Sequence, residues 1–182
     1  MGKPVGIVLA CAATALAVLV AAFAPSPADA RGDGRATELS LLESGVLAQI
    51  NFIRVQHGLP ALQLSADLGE AADEHSREMV ADGYFEHDSF DGSVFWKRIA
   101  GFYGSAGYGY WSVGENLLWG SPNVGSVGAL QMWMRSPDHR ANILNPRWRE
   151  IGVSAVHAVN APGTYRHKTV TIITTDFGVR HQ

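Results

Sequence analysis

Two histidines and a glutamate are the side chains in this chain best placed to do chemistry. They lie in three segments whose neighbours are otherwise apolar: "FEHDS" with His87 and Ser89, "VGENLLW" with Glu115 and Asn116, and "SPDHRANIL" with His139 and Arg140. His139 follows the turn Ser136-Pro137-Asp138, where a short helix can start. His87 also follows a turn at the head of an apolar segment, so both rings can point into a cleft. Glu115 stands among Val113, Leu117 and Leu118. Its carboxylate is therefore expected to be at least partly buried, and a buried carboxylate needs a partner or a proton.

Two imidazoles and one carboxylate that converge make a divalent-metal site, and equally a general acid/base set. Separate structural roles are the third reading. No pair has the i, i+4 spacing of an HExxH helix, and no GxSxG nucleophile elbow is present. On residue chemistry alone the three readings stay open.

Several helices must hold these segments. Ser40 and Glu43 form a capping box ahead of Leu42, Val46, Ile50 and Ile53, and Gly58 closes that helix. After the connector "LPALQLS", Ser65 caps a second helix with Leu68, Ala71, Ala72, His75 and Met79 on one face and Gly83 at its C-terminal end. His75 reads as a helix-face histidine, hydrogen-bonded or solvated. "SVFWKRIAGFYG" gives a shorter helix with Phe95, Ile99 and Phe102 on one face. A strand then ends near Trp119, and a helix from about Val124 points Val127, Leu130 and Met134 inward.

The tail carries the clearest strand signal. Val153, Ala155 and His157 alternate with Ser154, Val156 and Ala158; "NAPG" turns; "TVTIITTDF" returns. A link that short requires an antiparallel pair, with His157 and His167 facing solvent. The fold class is therefore α+β, an α-β-α sandwich whose small antiparallel sheet is covered by helices on both faces. Trp96, Trp119, Trp133 and Trp148 fall at core spacing. Trp111, in the aromatic loop Gly107–Trp111, is a candidate cleft lip.

The N-terminus reads as a secretory signal over residues 1–30. Lys3 precedes the apolar run Ile7–Ala22, and Ala28-Asp29-Ala30 supplies the cleavage site. Residues 31–38 form a flexible leading segment in which Arg31-Gly32-Asp33 is a chance match, and residues 39–180 form a single domain. Cleavage would leave no stable membrane span. It would also remove Cys11, the one cysteine in the chain, leaving no disulfide and no thiolate ligand. The domain must then hold by packing. A net charge of −3 with no basic block excludes a nucleic-acid partner on electrostatic grounds.

"EHDS", "GENLLWG", "WMRSPDHRANILNPRWREIGVS" and "TTDFG", in that order, resemble the signature segments of the CAP superfamily (cysteine-rich secretory, antigen 5 and pathogenesis-related proteins), most of all its cysteine-free bacterial branch of SCP-like extracellular proteins. The resemblance runs from about Leu41 to Phe177. It implies the α-β-α sandwich, an extracellular location, and a cleft in which His87, Glu115 and His139 converge, with Ser89, Asn116, Arg140 and Asp176 in support. This chain departs from the family at "WMRS", where many relatives carry a second acid, and at Thr175, where glutamine is usual before Asp-Phe-Gly. Asp176 would then cap or orient a strand end.

Three functions follow as expectations. The first is a secreted module in which His87 and His139 hold a divalent metal ion, Zn more readily than Mg, and the cleft takes a small-molecule or lipid-like ligand. In it Glu115 could be a third ligand, and metal uptake fails as the histidines protonate, near pH ~6.5. The second is a secreted hydrolase of peptide or cell-wall polymer with Glu115 as acid/base. The third is a buried hydrogen-bond network with a purely structural role. The family is associated with several activities and shares no one reaction, so the fold licenses no enzyme assignment.

Overall fold

The computed structural model describes residues 40–182. The secretory signal expected at 1–30 and the leading segment expected at 31–38 lie outside the described residues.

Helix α1 (Leu41–Gln56) starts from the expected box: the Ser40 side chain accepts from the Glu43 amide, and Glu43 Oε2 accepts from the Ser40 amide at 2.8 Å. The second Glu43 oxygen accepts from the Ala155 amide at 2.9 Å, so the cap also ties the helix to the sheet. Arg54, near the end of α1, is fully buried and forms no ion pair with an acid among the described residues. Its guanidinium donates instead to the carbonyls of Pro60, Ile143 and Asn145, at 3.1, 2.7 and 2.9 Å. Nη2 adds a longer contact to the Trp148 carbonyl at 3.5 Å, and such pairing is what makes a buried charge tolerable.

The connector "LPALQLS" contains a strand that the sequence pattern does not show. β1 (Gln63–Leu64) pairs in parallel with β3 (Glu150–Ala161). Two residues carry no period to read. Helix α2 (Ala66–Asp82) begins at Ser65, whose hydroxyl accepts from the Leu68 amide, and ends at Gly83 in the left-handed region at φ 71°. Helix α3 (Phe95–Phe102), strand β2 (Tyr110–Gly120), helix α4 (Ser126–Arg135) and the Pro-started helix α5 (Pro137–Ile143) follow. β3 then turns through a 3-10 segment, Gly163–Tyr165, into β4 (Lys168–His181).

The sheet order is β1-β3-β4-β2, with β3–β4 and β4–β2 antiparallel. α1, α4 and α5 pack on one face around Ile50, Trp133, Trp148 and Phe177; α2 and α3 cover the other around Leu68, Ile99 and Tyr103. This is the expected sandwich, with β1 added as a short parallel strand. Among the described residues no helix is long and apolar enough to cross a membrane.

β2 is an edge strand, and its outer backbone groups need covering. The Glu115 carbonyl accepts from Asn142 Nδ2 at 3.1 Å, and the Leu117 carbonyl accepts from Trp133 Nε1 at 3.0 Å. α4 and α5 are thus fastened along the strand that carries Glu115, which brings His139 beside it.

Three apolar expectations fail. Val127 is exposed, and the inward side of α4 is Ala129 and Trp133, with Leu130 and Met134 at its margins. Trp96 is exposed on α3, because Arg98 and Ile99 take the buried side of that short helix. Trp111 belongs to β2 rather than to a loose loop. Its indole N–H donates to the Tyr103 carbonyl at 2.8 Å, and it packs with Leu68 and Ile99, so it is no cleft lip. His157 and His167 are exposed, as read.

Candidate functional site

The three segments meet over the β2 edge. A hollow of about 510 Å³ is lined by His87, Phe95, Glu115, Asn116, His139 and Asn142 among others. His87 comes from the loop between α2 and α3, on one side of the sheet; His139 comes from α5, on the other.

Glu115 is the hinge of the arrangement. Its side chain is 1 % exposed and Oε1 accepts from His87 Nδ1 at 2.7 Å. Oε2 forms a close ion pair with Arg98, itself 3 % exposed. With Nδ1–H donating to the carboxylate, His87 carries its free lone pair on Nε2. That ring is half exposed in the hollow. Both Glu115 oxygens are therefore engaged. The acid orients one imidazole and is poorly disposed to act as a third ligand or to abstract a proton.

Arg98 is the residue that sequence reading missed. Besides Glu115, its Nη1 donates to the His87 carbonyl and to Ser89 Oγ, both at 3.3 Å. One guanidinium thus neutralises the acid and holds the loop that carries His87. The available signal was a lone arginine beside Ile99 on an amphipathic helix.

Behind Glu115 lies a second acid. Asp176 is register partner to Glu115 across β2–β4, sits mid-strand rather than at a strand end, and is fully buried. Ionised, neither of its oxygens would find a donor among the described residues. Burial, and then the neighbouring Glu115 charge, hold the Asp176 carboxyl well above the usual range. Protonated, it can donate to Glu115. Burial pushes Glu115 up to about 7, with Arg98 opposing the rise. Two carboxyls and one arginine thus hold at most a single carboxylate charge, which Glu115 carries above a pH of about 7.

Burial lowers the pKa of His87, as does the Arg98 charge; burial lowers that of His139, as does the nearby His87. Both rings are neutral at neutral pH, and a charge on His87 would bear on His139. Asn116 Nδ2 donates to the His139 carbonyl at 3.1 Å, and Asn116 Oδ1 accepts from Asn142 at 3.1 Å, fixing the turn of α5 that presents the ring. Gly114 lets this happen: a Cβ there would lie 2.8 Å from both Asn142 Oδ1 and the Trp148 ring.

Of the expected supporting residues, Ser89, Asn116 and Asp176 join the cluster. Arg140 does not. It is exposed on the other side of α5 and lines a separate hollow with Met134, Arg135 and Pro137, because consecutive helix positions point about 100° apart. Thr175, in the position after Thr174 and before Asp176, is fully buried with its hydroxyl unpaired, and nothing in the cleft uses it. His75 lies outside the cleft. It is fully buried, with its Nε2 2.9 Å from the Glu86 carbonyl, one residue before His87.

Among known proteins, the model of the cysteine-rich secretory protein family, CAP, matches residues 47–173. The uncharacterized protein YkwD of Bacillus subtilis is 33 % identical over 122 residues, 67 % of this chain and 45 % of YkwD. The uncharacterized membrane protein YlbC of the same bacterium is 30 % identical over 111 residues, 61 % of this chain and 30 % of YlbC. The chain thus spans less than half the length of the curated relatives it matches. An extracellular protein containing an SCP domain from Bacillus anthracis superposes with a TM-score of 0.55 at 30 % identity, covering 77 % of this chain and 41 % of that one. An outer surface protein of Borrelia burgdorferi superposes at 0.59 with 19 % identity over 74 % of this chain and 90 % of its own, a likeness of fold alone.

Proposed function

The chain belongs to the cysteine-rich secretory protein (CAP) family, and from that premise we propose that it is a secreted binding module whose His87 and His139 hold a divalent metal ion in the cleft. One observation carries this reading: two neutral imidazoles line one hollow, and one of them is oriented through Nδ1 by a buried carboxylate. A carboxylate behind a histidine fixes the tautomer and raises the basicity of the ring's other nitrogen, an arrangement that serves metal ligation.

The donor set fits a borderline ion such as Zn²⁺ better than Mg²⁺, which prefers oxygen. No group of three or more His, Cys, Asp and Glu among the described residues is arranged to hold a metal ion. The remaining positions would fall to water or to a ligand. Bound there, the ion would supply Lewis-acid polarisation of a ligand oxygen. Around it, Phe95 offers an apolar wall and Asn116 and Asn142 fix the floor, in a volume suited to a small-molecule or lipid-like ligand. Glu115 keeps His87 in place, and Arg98 keeps Glu115 charged.

A hydrolase with Glu115 as general base gains no support, since both oxygens are engaged and the side chain is buried. A secreted location is supported by the leader read at residues 1–30 and by the extracellular relative from Bacillus anthracis. The deciding experiment is zinc calorimetry on the wild type, His87→Ala and His139→Ala at neutral pH. Uptake at one equivalent, lost in both variants, supports the module; no uptake by the wild type ends the proposal.

A further inference from the structure

Helix α1 is apolar on two opposite sides. Val46, Ile50 and Arg54 are buried, and the side turned away from them carries Leu41, Ser44, Ala48, Phe52 and Val55, all exposed. At about 100° per residue these five fall within about 80° of arc and form one stripe about 21 Å long. Leu41, Phe52 and Val55 are 95 %, 61 % and 60 % exposed. A helix apolar on both sides is ordinarily buried on both, and a stripe of this kind marks an interaction site.

The stripe carries no charge. The two charged side chains of α1 are turned inward, Glu43 onto the Ser40 and Ala155 amides and Arg54 onto carbonyls of Ile143 and Asn145. Helix α2 differs, with Asp67, Glu70, Asp73 and Glu74 in its first half. A charged partner therefore finds nothing on α1 to pair with, and a matching apolar stripe does.

The stripe is also its own complement. The steps between its five residues are 3, 4, 4 and 3, the same read in either direction, with Ala48 at the midpoint. A two-fold axis through Ala48 that sets two copies of α1 antiparallel brings Ala48 onto the partner's Ala48. It also brings Leu41 onto the partner's Val55 and the Phe52 ring over the partner's small Ser44. Small residues at the centre let the helices approach, and large stands against small on either side.

We infer that α1 pairs with α1 of a second copy of this chain in an antiparallel, two-fold dimer. Two facing strips about 21 Å long and about 10 Å wide fall short of the roughly 1,200 Å² of a permanent interface, so the dimer is weak and forms with concentration. No residue of the stripe lines the histidine cleft, so pairing is independent of metal uptake there.

The experiment is sedimentation velocity with chelator present, on the wild type, Ala48→Glu, Ala48→Lys and an equal mixture of the two variants. Position 48 faces outward, so both variants should keep the wild-type circular dichroism and melting temperature. The wild type should be half dimeric at roughly 100 µM. Each variant alone should be monomeric, because like charges meet at the axis, and the mixture should associate again. A wild type that stays monomeric, association that Ala48→Glu leaves unchanged, or a mixture that stays monomeric overturns the assignment. Adsorption to phosphatidylcholine–phosphatidylglycerol vesicles without pairing in solution gives the stripe to a lipid surface and overturns it as well.

Discussion

Glu115 and Asp176 face each other across the β2–β4 pair, and above a pH of about 7 they carry one negative charge between them. Arg98 pairs with Glu115, and the proton resides on Asp176. Isosteric substitutions should therefore act unequally. Asp176→Asn replaces a neutral donor with another neutral donor and is expected to change stability at pH 7.5 by less than about 1 kcal/mol. Glu115→Gln strips a buried guanidinium of its anion and is expected to cost about 3 kcal/mol. Urea unfolding of the two variants checks this; equal costs would mean that the charge is shared differently.

The two imidazoles titrate below the ordinary histidine range, because burial opposes their charge. Protons compete with metal for the same lone pairs, so zinc uptake is full above these pKa values and is lost as pH falls through them. Calorimetry across pH 7.5 to 5 should place the midpoint of that loss below the free-imidazole value of about 6.5. Glu115→Gln, which keeps a weaker acceptor for His87 Nδ1, should reduce affinity by about 10- to 100-fold without abolishing it.

His75 gives an independent pH effect. Burial, and then the Arg98 charge, lower it from 6.5 to about 4. Between those values the unfolded chain binds the proton and the folded chain does not. Stability from this residue is therefore complete above pH 6.5 and falls as pH drops towards 4, by roughly 3 kcal/mol. His75→Gln can still donate to the Glu86 carbonyl but cannot titrate. Urea midpoints at pH 7.5 and 4.5 should show the variant losing less stability on acidification than the wild type, by about that amount.

Much of this was legible in the chain because local chemistry sets it. Ser40 with Glu43, Ser65 and Gly83 cap where their side chains or φ values demand, and Pro137 starts α5. Glu115 announced itself as an acid among Val113, Leu117 and Leu118. The rest depends on distant neighbours. Arg98 serves the cleft only because α3 packs against β2, 17 residues away from Glu115. Asp176 meets Glu115 only through strand register. Arg140 adjoins His139 in sequence yet points elsewhere, since a helix turns between them. β1 exists because Glu150 and Ile151 of β3 offer it backbone partners.

The approach of α2 to β3 at Gly152 yields a contrast in sign. Gly152 on β3 faces the backbone of α2: an added Cβ would lie 2.1 Å from the Leu68 carbonyl carbon and 2.3 Å from the Gly69 amide nitrogen. These are backbone atoms on both sides, so neither element can yield by turning a side chain, and the helix must lift from the sheet. Lifting it would open the packing around Leu68 and Ile99 that backs Arg98. Gly152→Ala is expected to cost more than about 3 kcal/mol, at the overpacking extreme. Gly69 stands opposite, inside α2, and a Cβ there meets nothing within 4 Å. Gly69→Ala should be neutral or stabilising by up to about 1 kcal/mol, since alanine loses less backbone freedom on entering a helix. Thermal melts of the two variants decide it: Gly152→Ala melting at the wild-type temperature would show that α2 and β3 do not touch as closely as their backbones require.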